Sequence, residues 1–208
     1  MNRQFARLAL SLVVTMTGIA PALAHHLMGG RTPASFTEGI LSGLGHPVIG
    51  VDHFAAVVAI GCLAAAHRAG FALAIGFVLT MMAGVALHLH GANVPGAEIL
   101  VALSVIVLGA IMLRGREIAT AGAFALFAAV GLIHGYALGE SIYGAEPTPL
   151  YAYLLGLAVI QAGIALVAMH VARLVTQRQP DLSPLRLVGA GIAGIGIAVL
   201  MQQVVPAA

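Results

Sequence analysis

The sequence contains no lysine, no tryptophan and a single cysteine, and it is poor in charge of either sign. Charged side chains make up 8% of its 208 residues, about a third of the roughly 25% found in soluble domains. Such a chain cannot cover a water-facing surface, which excludes a soluble enzyme, a nucleic-acid binder and a disordered chain. With only Cys62, no intrachain disulfide can form, and within its apolar run Cys62 reads as a small buried hydrophobe. All nine basic residues are Arg, and a formal net charge of +2 is too small and too scattered to hold a polyanion. What is present is a chain that is 61% hydrophobic with a mean hydropathy of +1.05, suited to a lipid bilayer. Against that background its nine histidines outnumber its seven carboxylates. That excess needs a chemical explanation.

Residues 1–24 read as a secretory signal peptide. Arg3 and Arg7 form a positive start, Leu8 to Ile19 an apolar stretch, and Ala22-Leu23-Ala24 a cleavage site. Cleavage would leave His25-His26 at the new amino terminus and one polytopic membrane domain over 25–208. A crossing helix needs about 20 mostly apolar residues. Six such runs follow, near 48–66, 70–89, 96–113, 118–138, 150–172 and 186–205. The shorter stretch Pro33 to Leu44 holds Glu38 and is too short to cross, so it reads as a periplasmic or re-entrant half-helix. The expected fold class is therefore an all-α membrane protein: six transmembrane helices plus this short helix, after a cleaved signal peptide.

The loops agree with that count. Arg68, then Arg114 and Arg116, then Arg173, Arg178 and Arg186 fall on alternate loops. The loops between them hold no Arg, only Glu140 and Glu146, with Glu98 just beyond. The positive-inside rule assigns the Arg-bearing loops to the cytoplasm. Both termini are then periplasmic, as signal cleavage also requires, and the expected location is a bacterial inner membrane. The 26 glycines, with Gly189, Gly191, Gly194 and Gly196 in the last span, suit close helix packing in lipid.

On this topology the histidines gather on one side. His25, His26, His46, His53, His88, His90 and His134 are periplasmic, seven of nine, and they come from four separate segments. His67 and His170 lie beside Arg-bearing loops and read as interfacial. Ionisable groups at membrane depth are expensive and mark substrate or ion paths. Imidazole ligates Ni, Cu, Zn and Co, so a group of imidazoles with one or two carboxylates suits a divalent transition metal leaving water.

Three constellations carry the expectation. In His46-Pro47-Val48-Ile49-Gly50-Val51-Asp52-His53, Pro47 suits the first turn of a helix. His46 would then lie near its N-cap, with Gly50 and His53 on one face with it at i, i+4 and i+7. Asp52 lies off that face and could ligate, pair with a neighbouring helix or orient an imidazole. In Ile133-His134-Gly135-Tyr136-Ala137-Leu138-Gly139-Glu140, His134 is deep, Glu140 is near the mouth, and Gly135 and Gly139 suit close packing. His88-Leu89-His90 converges on one ligand only if the helix frays before Gly91. His25-His26, followed by Met28-Gly29-Gly30, would capture metal at the entrance or be a tail.

With these motifs in hand, the chain resembles the HupE/UreJ family of bacterial nickel permeases. The likeness rests on the His-containing start with Met-Gly-Gly, the His-Pro-x-x-Gly-x-Asp-His motif and the His-Gly-x-Ala-x-Gly-Glu motif. The resemblance implies secondary uptake of nickel, supplying hydrogenase or urease maturation, with cobalt as cargo in some relatives. By motif it carries His46, Asp52, His53, His134 and Glu140 over as transport residues. Leu138 stands where the family motif often has another His, which bears on metal preference. The chain contains no nucleotide-binding motif, so an ATP-driven pump on this chain alone is excluded. No prosthetic group and no nucleic acid are expected; the partners are the metal ion and the bilayer. Two other classes fit a histidine cluster in lipid: a zinc enzyme acting on lipid and a b-type haem protein.

Overall fold

The computed structural model describes residues 31–115, 118–178 and 182–205. The signal peptide, His25, His26 and the Met28-Gly29-Gly30 segment lie outside these residues. The described chain forms α1 (Phe36–Ile49), α2 (Val51–Ala64), α3 (Gly70–Leu89), α4 (Ala97–Arg114), α5 (Thr120–Gly139), α6 (Pro147–Arg178) and α7 (Ser183–Val204), with a 3-10 turn at Glu140–Ile142. No strand occurs among the described residues. Five helices, α3 to α7, are long and apolar enough to cross a membrane, and α1 with α2 passes the same test as a bent pair, which gives six spans when the two are taken as one broken span. The protein is an all-α membrane protein.

The first span departs from the expected one. A single helix over 48–66, opening at Pro47, does not form. Instead α1 and α2 are 14 residues each and meet at Gly50 with a bend of 78°. The reason is local. Ser35 caps α1 by accepting from the Glu38 amide at 3.2 Å, while the Glu38 carboxylate accepts from the Ala34 amide at 2.7 Å. This reciprocal cap starts the helix at Phe36, eleven residues before Pro47. Pro47 therefore falls in the last turn of α1, where its missing N–H weakens the helix. Gly50 then takes an extended conformation and ends it. His46 lies near the C-terminus of α1, not at an N-cap, and the i, i+4, i+7 face linking it to His53 does not exist.

Glycines set how the other helices approach. A methyl group on Gly135 would collide with the Met81 backbone, and one on Gly131 with the Phe77 carbonyl at 2.7 Å, so α3 and α5 run parallel in backbone contact. A methyl group on Gly109 of α4 would lie 2.7 Å from the Gly189 carbonyl, and one on Gly196 of α7 would lie 3.0 Å from the Ala102 carbonyl, which makes α4 and α7 antiparallel. Of the four expected packing glycines in α7, Gly189 and Gly196 fulfil that role. Gly191 and Gly194 have no neighbour within 4 Å of an added methyl. The 32-residue α6 carries α1 along its first half and α2 along its second, both parallel to it. These directions alternate as a six-span topology requires. At the Arg-bearing end, Arg173 donates to the Ala65 and His67 carbonyls, each at 3.3 Å, and caps the end of α2.

Candidate metal-ion site at the helix break

The break at Gly50 places three ionisable side chains together inside the bundle. Interrupted membrane helices expose backbone and side-chain ligands at their ends, which is how many transporters build ion sites. His46 ends α1, Asp52 and His53 begin α2, and all three are buried. The His46 and His53 rings lie 6.1 Å apart, centroid to centroid. Asp52 Oδ1 accepts from the His53 amide at 2.8 Å. This holds the carboxylate at the positive end of α2, where the helix dipole favours its charge.

His134, in the second half of α5 and 1% exposed, completes the group. Its Nδ1 lies 2.8 Å from His53 Nδ1, and its Nε2 lies 2.8 Å from Ser104 Oγ on α4. Ser104 Oγ also lies 2.7 Å from the Val101 carbonyl. That carbonyl can only accept, so it takes the hydroxyl proton, and Ser104 in turn accepts from His134 Nε2–H. A neutral His134 protonated at Nε2 has a bare Nδ1, which accepts from His53 Nδ1–H. His53 is then left with its lone pair on Nε2, the form in which imidazole takes a metal or a proton. One backbone carbonyl thus sets the direction of the whole chain of hydrogen bonds.

The remaining expected residues are placed differently. Helix α3 is intact through Leu89, so His88 and His90 do not converge. His88 is half-buried, packed on Tyr136 at 4.7 Å and Tyr143 at 5.7 Å between ring centroids, while His90 is exposed. Gly139 makes room for His88, since a methyl there would lie 2.7 Å from its Cβ. Glu140 is exposed at the end of α5 and lies outside the buried group. The turn it starts is anchored by Tyr153, whose hydroxyl donates to the Leu138 carbonyl at 2.8 Å and accepts from Ser141 at 3.0 Å. His67, in the turn after α2, is buried with Nδ1 3.3 Å from Thr120 Oγ1 at the start of α5; His170 is exposed. Among the described residues, no three His, Cys, Asp or Glu side chains already converge as a metal cage. What the fold holds together is a buried, directional chain of imidazoles and hydroxyl beside a carboxylate.

Two buried polar side chains, one of them in the site, were missed by sequence reasoning. Ser104 is the one hydroxyl in the apolar run Ile99–Leu113, and Gln161 the one amide in Leu154–Met169. A lone polar side chain in such a run is a signal for a buried partner, but sequence alone does not say which helix supplies it.

The fold and the break together define a polytopic membrane protein with a histidine group buried in its helices. The profile described as HupE / UreJ protein matches residues 12–199, and the chain belongs to that family, which is associated with nickel handling for hydrogenase and urease. It is similar to Protein HupE of Rhizobium leguminosarum bv. viciae, 31% identical over 131 residues. That match covers 62% of this chain and 66% of the relative, just under two thirds of its length. No solved structure gives a significant match.

Proposed function

We propose that this protein is a secondary permease that carries a divalent transition-metal ion, nickel first and cobalt second, from the periplasm into the cytoplasm. The observation that carries the reading is the His53–His134 contact at the helix break, with buried Asp52 on the next residue. Ionisable groups at this depth are retained where an ion must leave water, and imidazole with carboxylate suits these metals. His46 stands beside His53 as a further ligand. Half-buried His88 and exposed Glu140 lie at one end of α3 and α5, where a hydrated ion would first meet the protein. His90, beside them and exposed, and the amino-terminal His25 and His26 would serve capture rather than passage.

The ion takes the His53 Nε2 lone pair as its first buried ligand, while His134 continues to hold the His53 Nδ1–H and so orients the ring. Movement of a divalent cation down the membrane potential supplies about 2.3 kcal/mol per charge per 100 mV, hence about twice that per ion. The cytoplasmic destination is hydrogenase or urease maturation. The test is uptake of labelled nickel into proteoliposomes with an imposed potential. Wild type accumulates nickel, and His53→Ala and His134→Ala do not. Equal accumulation by correctly folded variants overturns the assignment.

A further inference from the structure

Gln161 lies in the middle of α6, is 1% exposed, and its amide oxygen is buried with no hydrogen-bond partner. Leu157, Gln161 and Ala165 are spaced i, i+4, i+8 and form one stripe. Both ends of that stripe touch the broken span. A methyl on Gly43 of α1 would collide with the Tyr153 carbonyl and lie 2.9 Å from the Leu157 amide. One on Gly61 of α2 would collide with the Ala165 carbonyl and lie 3.1 Å from the Met169 amide. Gln161 is therefore midway between the two contacts, at the level of the break.

The bend sets the break off the line between these two contacts. Gly43 to Gly50 is about 10 Å of helix and Gly50 to Gly61 about 16 Å. Joined at a bend of 78°, these two legs put Gly50 about 8 Å beyond the line joining the contacts. Buried His46, Asp52 and His53 flank the break, and buried Gln161 sits at the same level on α6. A leucine or methionine would fill the Gln161 position with no polar group to satisfy. An amide oxygen kept there without a protein partner is poised for a guest.

We infer that Gln161 is a ligand-side residue of the ion path, its amide oxygen facing the Gly50 break to receive a divalent transition-metal ion or one of that ion's waters. This deepens the permease reading and rests on it. A neutral oxygen donor binds such an ion less tightly than a carboxylate and so lets it leave. It also makes the donor set mixed imidazole and oxygen, which bears on selectivity among nickel, cobalt and zinc.

The experiment compares wild type, Gln161→Leu and Gln161→Glu in two assays: equilibrium binding of nickel ion to the detergent-purified full chain, and uptake in proteoliposomes with zinc or cobalt as competitor. Gln161→Leu is expected to melt no lower than wild type, because it removes an unsatisfied group, yet to lose uptake about 10-fold, near 1.4 kcal/mol. Gln161→Glu is expected to bind nickel about 10-fold more tightly and to release it more slowly. Wild-type binding, uptake and competition profile in folded Gln161→Leu overturn the inference. If Gln161→Leu does not fold, unchanged binding and uptake by Gln161→Glu overturn it instead. If wild type binds nickel but takes none up, the permease reading fails, and the Gln161 inference stands or falls on the binding assay alone.

Discussion

His53 and His134 meet through their Nδ1 atoms at 2.8 Å across 81 residues of sequence. This contact ties the broken span to α5, and the Ser104 hydroxyl beyond it ties α5 to α4. Three membrane helices are joined by one polar chain in a core that is otherwise apolar, so altering any link has consequences for the other two.

Replacing His134 by Ala removes the middle link. It leaves His53 Nδ1–H and the Ser104 hydroxyl oxygen buried without their partner. Each unsatisfied group costs about 1–3 kcal/mol. A clear drop in melting temperature in detergent is expected together with loss of nickel uptake; an unchanged melt would show that the chain of hydrogen bonds does not contribute to stability.

Ser104 positions an imidazole rather than contacting the ion. Ser104→Ala removes the acceptor for His134 Nε2–H and frees His134 to adopt the other tautomer. Nitrogen-15 spectra of labelled histidine should show His134 changing from a single Nε2-protonated form to a mixture. Uptake should fall about 10-fold, equal to a net hydrogen bond of about 1.4 kcal/mol, and Ser104→Thr should restore much of it. Identical spectra for wild type and Ser104→Ala would dispose of the positioning role.

Gly135 and Gly191 form a matched pair of tests for packing. Gly135→Ala places a methyl against the Met81 backbone, where a shift of α3 relative to α5 is the only relief. Overpacking of this kind costs about 1–3 kcal/mol. Gly191→Ala, with open space around it, should change stability by less than about 0.5 kcal/mol. Equal melting temperatures for the two variants would contradict the backbone contact between α3 and α5.

Sidedness is open to labelling. In a Cys62→Ala background, a cysteine at Ala92, between α3 and α4, is expected to react with an impermeant maleimide added to spheroplasts. A cysteine at Arg178, at the end of α6, should react only after permeabilisation. The reverse pattern would invert the proposed orientation and with it the direction of transport.

Much of the architecture was legible in advance because lipid imposes one rule everywhere: a long apolar run must become a helix that satisfies its own backbone. Span 70–89 coincides with α3, and the other spans from 96 onward lie within a few residues of their helices, or inside α6, which is longer. The exception is the first span. Its sequence contains one apolar run with a proline near the start, and hydropathy cannot tell a proline that opens a helix from one that weakens the end of an earlier helix. The cap formed by Ser35 and Glu38 decides this, by beginning α1 upstream of the apolar run.

The sequence by itself determined that this is a helical membrane protein, and its motifs marked His46, Asp52, His53, His134 and Glu140 as candidate transport residues. It did so because composition and spacing along a helix are local properties. Only the tertiary structure decided which of the proposed residues meet. It brought His53 to His134, left Glu140 and His90 exposed, separated His88 from His90, and recruited Ser104 and the level of Gln161 from helices that no motif marks. The physical reason is that these relations depend on a bend of 78° at Gly50 and on glycines that let particular helix backbones touch. The bend is set locally, but the residues that it and the glycines bring together lie far apart in the chain, where periodicity carries no information.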